Sequence, residues 1–261
     1  MSTLDMNLAD LALVYTILVV PIMVMTIYQT RQVKKTVVGI IRMSVQLFLV
    51  GIYLRYIFEL NNPFVNGAWL VIMISVATAN VLATASLNKK RLFPFIFIGI
   101  FLSTIGMLTL FVFGAITPRP LYDARYMIPI GGMLLGNCMR GNVISLERFL
   151  SGIRNNRKEY MSSLFMGATT AEAGKPWVRR ALSAALAPTI STMATMGIVS
   201  LPGMMTGQIL GGAHPMTAIK YQLAIMISIF AATSLSAWLN LFLCTRVAFD
   251  DYGMLREDIF K

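Results

Sequence analysis

The chain predicts an all-α membrane protein, a polytopic bundle of about seven transmembrane helices, and three observations carry that prediction. Of its 261 residues, 57% are hydrophobic and only 13% charged, too little charge to cover a soluble domain of this size. Several apolar runs reach the roughly 20 residues that a helix needs to cross a bilayer. Basic residues gather between alternate runs, as the positive-inside rule expects of loops on one membrane face. Length alone would suit one or two soluble domains, and the apolar runs overrule that.

In chain order the spans fall at roughly 8–28, 37–58, 68–88, 93–116, 126–146, 181–201 and 219–245. Arg31, Lys34 and Lys35 follow the first, and Lys89, Lys90 and Arg91 the third. Arg148, Arg154, Arg157, Lys158, Lys175, Arg179 and Arg180 follow the fifth; Arg246, Arg256 and Lys261 follow the last. The opposite face has Arg119 and Arg125, while Arg42, Arg55, Arg140 and Lys220 lie in or beside spans. The amino terminus is therefore expected outside and the carboxyl terminus in the cytoplasm of an inner or plasma membrane. The start, MSTLDMNLAD, is acidic and has no basic region or small-residue cleavage site, so the first span is expected to stay. With no linker or visible repeat, residues 1–261 read as a single membrane domain.

The longest cytoplasmic segment is expected at about 147–180. Apolar residues recur at helical period from Leu146 through Phe149, Leu150, Ile153, Tyr160, Met161, Leu164 and Phe165, which continues the fifth span as an amphipathic helix. Gly167 suits its end. Thr169 and Glu172 have capping-box spacing and predict a second, short helix; Pro176 suits the first turn of a third. The stretch GATTAEAGK resembles a phosphate loop only superficially. Six residues, not four, separate Gly167 from Gly174, Pro176 follows Lys175 where a Ser or Thr is needed, and no strand precedes it. The residues alone leave open whether this corner docks a partner protein or is a solvated loop.

The net charge of +11 belongs to the loops of one face, and no basic patch interleaves with aromatics, so nucleic acid is not an expected partner. None of the 11 Asp and Glu falls in the middle of a span, and the one histidine, His214, lies in an outer loop. Ion-coupled transport by intramembrane carboxylates is thereby disfavoured. Catalysis is too, since H-E-x-x-H, G-x-S-x-G and a second histidine are missing. Cys138 and Cys244 form no metal-ligand spacing. The 19 methionines are spread along the chain, apart from Met204–Met205, and read as packing rather than a soft-metal site.

Polar residues inside spans are the candidate translocation path. Arg42 and Gln46 share a face of the second span, as do Asn80 and Thr84 of the third. Asn137 lies near mid-membrane with Arg140 one turn on and Asn142 near; Thr189, Thr192 and Thr195 line one side of the sixth span. The structural alternatives are snorkelling by Arg42 and interhelical hydrogen bonds by the threonines. At the outer end, SLPGMMTGQILGGAHP sets Gly203, Gly207 and Gly211 four apart, with Gln208 and His214 near. This spacing permits close helix approach or a re-entrant segment.

The blocks GNCM (136–139), LPGMMTGQILGGAHPMTAIKYQ (201–222) and RMSVQLFLVGIYLRYIF (42–58) resemble the FetB family of iron-export ABC transporter permeases, over most of the chain. The resemblance implies the membrane half of an ABC transporter, present as a homodimer, with ATP and Mg bound by a separate FetA-type ATPase and no cofactor in this chain. It implies metal export, and related plant proteins connect to aluminium tolerance and UDP-glucose transport. SSLFMGATTAEA (162–173) is similar to the EAA loop with which ABC permeases dock their ATPase. On that pattern Ser162, Ser163, Gly167 and Ala168 take the small-residue positions, with Thr169 and Glu172 beside them. The motif's leading acid falls on Met161, and Glu159 is the nearest acid. Iron prefers oxygen and nitrogen ligands, whereas Arg42 and Arg140 repel a bare cation, so the metal-binding residues stay unknown. The alternatives are an ABC permease for a nucleotide sugar or other anion, and a stand-alone channel or membrane scaffold.

Overall fold

The computed structural model describes residues 7–260. The acidic start with Asp5, and Lys261 of the basic carboxyl end, lie outside the described residues. The described chain is a helical bundle. Helices α1 (Leu8–Thr16) and α2 (Val19–Ile27) together form the first span, followed by α3 (Val33–Leu60), α4 (Pro63–Thr84) and α5 (Lys89–Phe111). Then come α6 (Ala124–Asn155), α7 (Arg157–Phe165), α8 (Thr170–Thr195), α9 (Gly203–Leu210) and α10 (Pro215–Ala248). A π-helical turn, Val112–Ile116, extends α5. In hydrocarbon every backbone polar group needs an internal partner, and helices supply it.

Among the described residues five segments are long and apolar enough to cross a membrane: Ala9–Ile27, Val33–Leu60, Pro63–Thr84, Lys89–Ile116 and Pro215–Ala248. The other two expected spans are α6 and α8. With 32 and 26 residues they run about 48 and 39 Å at 1.5 Å per residue, against a hydrocarbon core of about 30 Å. Their polar residues, Asn137 and Arg140 among them, dilute the apolar signal.

Turn chemistry sets the helix starts. Asn62, Asn88 and Asp123 each accept a hydrogen bond from the backbone two residues on (Phe64, Lys90 and Arg125), capping α4, α5 and α6. Pro63 and Pro215 open their helices, where a missing N–H costs nothing. The first span breaks at Ile17–Leu18 because Pro21 has no N–H to give the Ile17 carbonyl.

Two sequence expectations are corrected. Residues 146–165 do not form one helix: the chain breaks at Asn156 (φ −117°, ψ 39°), and α7 leaves at a new angle that buries Tyr160 against Phe249. The expected short helix at 169–175 and the third helix from Pro176 are a single helix, α8. Pro176 removes one hydrogen bond, but Ala173, Trp177, Ala181 and Ala185 recur every four residues and bury one continuous face, which carries the helix through.

The core lies among α4, α5, α6, α8 and α10. One apolar cluster fills the end that bears α7, including Ile74, Val81, Ile96, Phe149, Tyr160, Trp177 and Leu241. A second, including Leu108, Phe111, Leu134, Ile225 and Ile229, fills the opposite half. Between them runs a polar layer. Asn142 Nδ2 donates to Ser236 Oγ (2.7 Å) and to the Cys138 carbonyl (2.8 Å), and Asn240 Nδ2 donates to Asn142 Oδ1 (2.7 Å). The two bonds that cross from α6 to α10 contribute about 0.6–2 kcal/mol each. By contrast α1, α2 and most of α3 present apolar side chains outward, Phe48 and Ile52 among them, as helices facing lipid do.

Candidate functional site

Two places gather the polar residues singled out in the sequence. The first is a cleft at membrane depth between α6, α8 and α10, of about 150 Å³, lined by Asn137, Arg140, Gly141, Thr189, Thr192 and Thr233 with Ala185, Pro188, Met226 and Ile229. Asn137 and Arg140 share a face of α6 because they lie three residues apart. Thr189 and Thr192 have the same spacing on α8, antiparallel to α6. Thr192 Oγ1 and Asn137 Nδ2 donate to carbonyls one turn back, Pro188 (2.9 Å) and Met133 (2.8 Å). Gly141 lets α10 come close: a Cβ there would lie 2.6 Å from Thr233 Cγ2.

The guanidinium of Arg140 makes no ion pair or hydrogen bond with the described residues; the three ion pairs among them are Arg55–Glu59, Arg91–Asp258 and Arg154–Glu257. Arg140 is exposed, and since an arginine at the centre of a membrane helix costs about 2.5–3.5 kcal/mol on insertion scales, it needs water, a ligand or a neighbouring chain as partner. Thr233, only 1% exposed, has a hydroxyl with no hydrogen bond. Its polar neighbour is the Cys138 thiol, which also faces Thr104 and Ser236 and is a weak partner.

Other expected path residues lie elsewhere. Arg42 and Gln46 line a separate groove of about 780 Å³ along α3, with Tyr53 and Trp69. Asn80 sits on the exposed side of α4 and accepts from Thr84 Oγ1 (3.2 Å). At the outer segment, Gly203 and Gly207 face open space, while a Cβ on Gly211 would meet the Gly207 carbonyl at 3.2 Å. This segment forms the short helix α9, closed by Gly212 at φ +94°. His214 caps α10, its Nδ1 accepting from Met216 N (3.3 Å). Gln208 has an unpaired, buried Oε1.

The second place is the corner between α7 and α8. Ser162 and Ser163 donate back to the carbonyls of Lys158 and Glu159. Gly167, at φ +94° with open space around its Cα, makes the turn that a side chain would strain. Thr169 and Glu172 form the capping box: the Glu172 carboxylate accepts from Thr169 N (2.8 Å) and Oγ1 (2.7 Å), and Thr169 Oγ1 accepts from Glu172 N (3.3 Å). These bonds, with a smaller contribution from Lys175, hold the Glu172 carboxyl below its ordinary pKa. Ser162 lines a groove with Asn155, Arg157, Glu159, Met161 and Phe165; Glu172 lines another with Lys175, Pro176, Arg179 and Arg180. Phe165 and Met166 stand out between them, 81% exposed each. Ala168 is half-buried and packs on the core.

Sequence reasoning missed the strap that braces this corner. Residues 249–260 fold back under the bundle. Tyr160 Oη donates to the Gly253 carbonyl (2.8 Å), Asn88 Nδ2 to the Asp258 carbonyl (3.0 Å), and Asn88 N to the Ile259 carbonyl (2.8 Å). Arg91 pairs with Asp258 (2.8 Å) and Arg154 with Glu257 (3.3 Å). Burial, and then the Asp250 carboxylate, push the Tyr160 phenol up to about 12. Asn240 and Ser236 were missed as well. Asn240 was open to detection, as a lone amide inside an apolar run.

A profile of the uncharacterised protein family UPF0014 matches residues 8–249. The chain is 36% identical over 195 residues to a UPF0014 membrane protein of Synechocystis, covering 75% of each chain. It is 31% identical over 226 residues to the Arabidopsis thaliana protein named ALUMINUM SENSITIVE 3, covering 84% of this chain and 79% of that one. It is 29% identical over 251 residues to an Escherichia coli protein named "Probable iron export permease protein FetB", covering 94% of this chain and 93% of that one. No solved structure matches the chain. With bilayer-length apolar helices and a family match spanning nearly its whole length, the chain belongs to the UPF0014 family of integral membrane proteins.

Proposed function

We propose that this chain is the membrane permease subunit of an ABC transporter that exports a metal, iron, with ATP hydrolysis by a separate ATPase subunit. The similarity to the protein named FetB, over 94% of this chain, carries the reading. The shape of the α7–α8 corner supports it. Lys175, which a phosphate loop would set beside the nucleotide, lies inside helix α8, while Phe165 and Met166 project from a small, capped corner suited to a partner's groove. On this reading two copies of the chain pair with two ATPase subunits, which bind ATP and Mg. The α7–α8 corner faces the cytoplasm and engages the ATPase through Ser162, Ser163, Gly167, Ala168, Thr169 and Glu172. Closure of the ATPase pair moves the corner, and the rigid α8 passes that motion to the cleft.

The test is co-expression with a candidate ABC ATPase subunit from the same genome, followed by co-purification and ⁵⁵Fe uptake into inside-out vesicles. ATP-dependent accumulation is expected. Gly167→Trp and Glu172→Arg are expected to lower both ATPase capture and uptake by about tenfold, a loss of about 1.4 kcal/mol in docking. Full capture and full uptake by both variants would overturn the docking reading. Uptake without ATP would instead favour a channel.

A further inference from the structure

We propose that the cleft between α6, α8 and α10 is an oxyanion-binding site, with Arg140 as its recognition residue, and that the metal therefore crosses as an anionic complex. The substrate half of this inference rests on the export reading above; the anion site itself does not.

Four observations converge on it. Arg140 offers five N–H donors in a planar fork, the geometry that matches carboxylate and phosphate oxygens, and no described residue uses them. Among the described residues no Asp, Glu or His lines the cleft, so no carboxylate of theirs competes for the guanidinium. Thr189, Thr192 and the Asn137 amide line the same space; the Asn137 and Thr192 donors rest on carbonyls of their own helices and can be turned to a bound oxygen. The volume, about 150 Å³, is that of about five water molecules, enough for one oxyanion group with its solvation replaced by protein donors.

A bare divalent cation meets the opposite conditions. Among the described residues no group of three or more His, Cys, Asp or Glu is placed to hold a metal ion. The one full charge in the cleft has the same sign as the cation. A metal whose charge is exceeded by that of its carboxylate or phosphate ligands presents oxygens outward, which Arg140 and the threonine hydroxyls can bind. The shared chemistry is an oxyanion, and carboxylate and phosphate sources are separated by experiment.

The full chain is purified, reconstituted in lipid nanodiscs, and equilibrated against three probes: ⁵⁵Fe(III) with excess citrate, ³²P-pyrophosphate, and ⁵⁵Fe(II) with no complexing anion. Saturable retention of the citrate complex or of pyrophosphate is expected, and which of the two is held names the source. Arg140→Gln is expected to weaken retention by about tenfold or more, the loss of a charge-assisted hydrogen-bond pair, and Arg140→Lys by less. Thr189→Val and Thr192→Val keep shape and remove a hydroxyl, and each is expected to weaken it several-fold. If Arg140→Gln does not fold, the two valine variants decide. Three results overturn the proposal: retention of uncomplexed Fe(II) alone, no retention of either anion, or anion retention that none of these substitutions changes. Capture of the ATPase by the same wild-type preparation is read separately. Capture without anion binding would sink the anion site and leave the transporter reading standing, and anion binding without capture would do the reverse.

Discussion

Gly99 shows how closely single residues are set in the middle of this bundle. Its Cα rests against the side chain of Asn240, and a Cβ added there would overlap Asn240 Oδ1. That amide cannot swing away, since its Nδ2 is held by Asn142, and Asn142 is in turn tied to Ser236. Gly99→Ala must therefore part α5 from α10 or break the amide chain. Overpacking of this kind costs about 1–3 kcal/mol. Thermal unfolding of the detergent-purified chain is expected to show a clear fall in Tm for Gly99→Ala. Gly106→Ala, on the same helix with nothing within 4 Å, is expected to leave Tm unchanged or raise it slightly, because alanine favours the helix. Adding Asn240→Ala to Gly99→Ala should restore part of the loss, a coupling that independent sites do not show. A Gly99→Ala chain as stable as the parent would refute the packing described for this layer. Much at this scale was legible in advance, and some was not. Asn137, Arg140 and Thr192 were found because polar side chains are rare in apolar spans, and the fold gathers them in one cleft. Arg42, Gln46 and Asn80 met the same criterion but face other surfaces, because periodicity along one helix does not say which neighbour it meets. Gly99 carries no signal in the sequence that separates it from Gly106.

At the scale of elements, the carboxyl-terminal strap is the feature that hydropathy reasoning had no means to find. It is short and irregular, and its role comes from contacts made at long sequence separation: with Asn88 and Arg91 at the start of α5, with Arg154 at the end of α6, and with Tyr160 on α7. The helices themselves were legible to within a few residues, except where packing overrode local signals and at the outer end of the sixth span, expected to run to 201, where α8 stops at Thr195. Pro176 looked like a boundary, yet the buried face from Ala173 to Ala185 keeps α8 continuous; Asn156 carried no strong stop signal, yet it breaks α6 from α7. The surface ion pairs of the strap are worth little, about 0–1 kcal/mol each. The buried Tyr160 hydroxyl matters more, at about 0.5–1.5 kcal/mol, and its removal leaves the Gly253 carbonyl without that donor. Tyr160→Phe is expected to raise amide exchange in 249–260, and in α7, by up to about tenfold, while leaving exchange in α5 and α10 unchanged. Hydrogen–deuterium exchange with peptide mapping reads this directly. Uniform loss of protection through the bundle would mean that Tyr160 supports the whole fold and not the strap. Wild-type protection throughout would mean that the hydroxyl contributes nothing to holding it.

At the scale of the whole molecule, the helices alternate between two ends that differ in chemistry. One end gathers Arg31, Lys34, Lys35, Lys89, Lys90, Arg91, Arg154, Arg157, Lys158 and Lys175, with α7 and the strap. Contacts such as Asn88 with Asp258 and Tyr160 with Gly253 join its loops. The other end has the 117–123 loop and α9, and there Asn66 Nδ2 donates to the Tyr122 carbonyl (2.8 Å) while Asn61 Oδ1 accepts from Ala124 N (3.0 Å). The positive-inside rule assigns the basic end to the cytoplasm, and the proposed ATPase docking requires the same, since ATP is on that side. The two native cysteines, Cys138 and Cys244, are buried, so the chain should give a low background with a membrane-impermeant maleimide. Ala213→Cys and Leu121→Cys, both exposed at the α9 end, are expected to label in intact cells. Ser162→Cys and Tyr252→Cys, exposed at the basic end, are expected to label only after the membrane is opened. The reverse pattern would place α7 outside. Docking of a cytoplasmic ATPase on the α7–α8 corner would then be impossible, whatever the similarity of the chain to named permeases. Labelling of all four positions in intact cells would mean that the alternation of ends does not correspond to the two sides of a membrane. One pair of substitutions at each end therefore decides between a half-transporter oriented for an internal ATPase and an arrangement in which the basic end has another use.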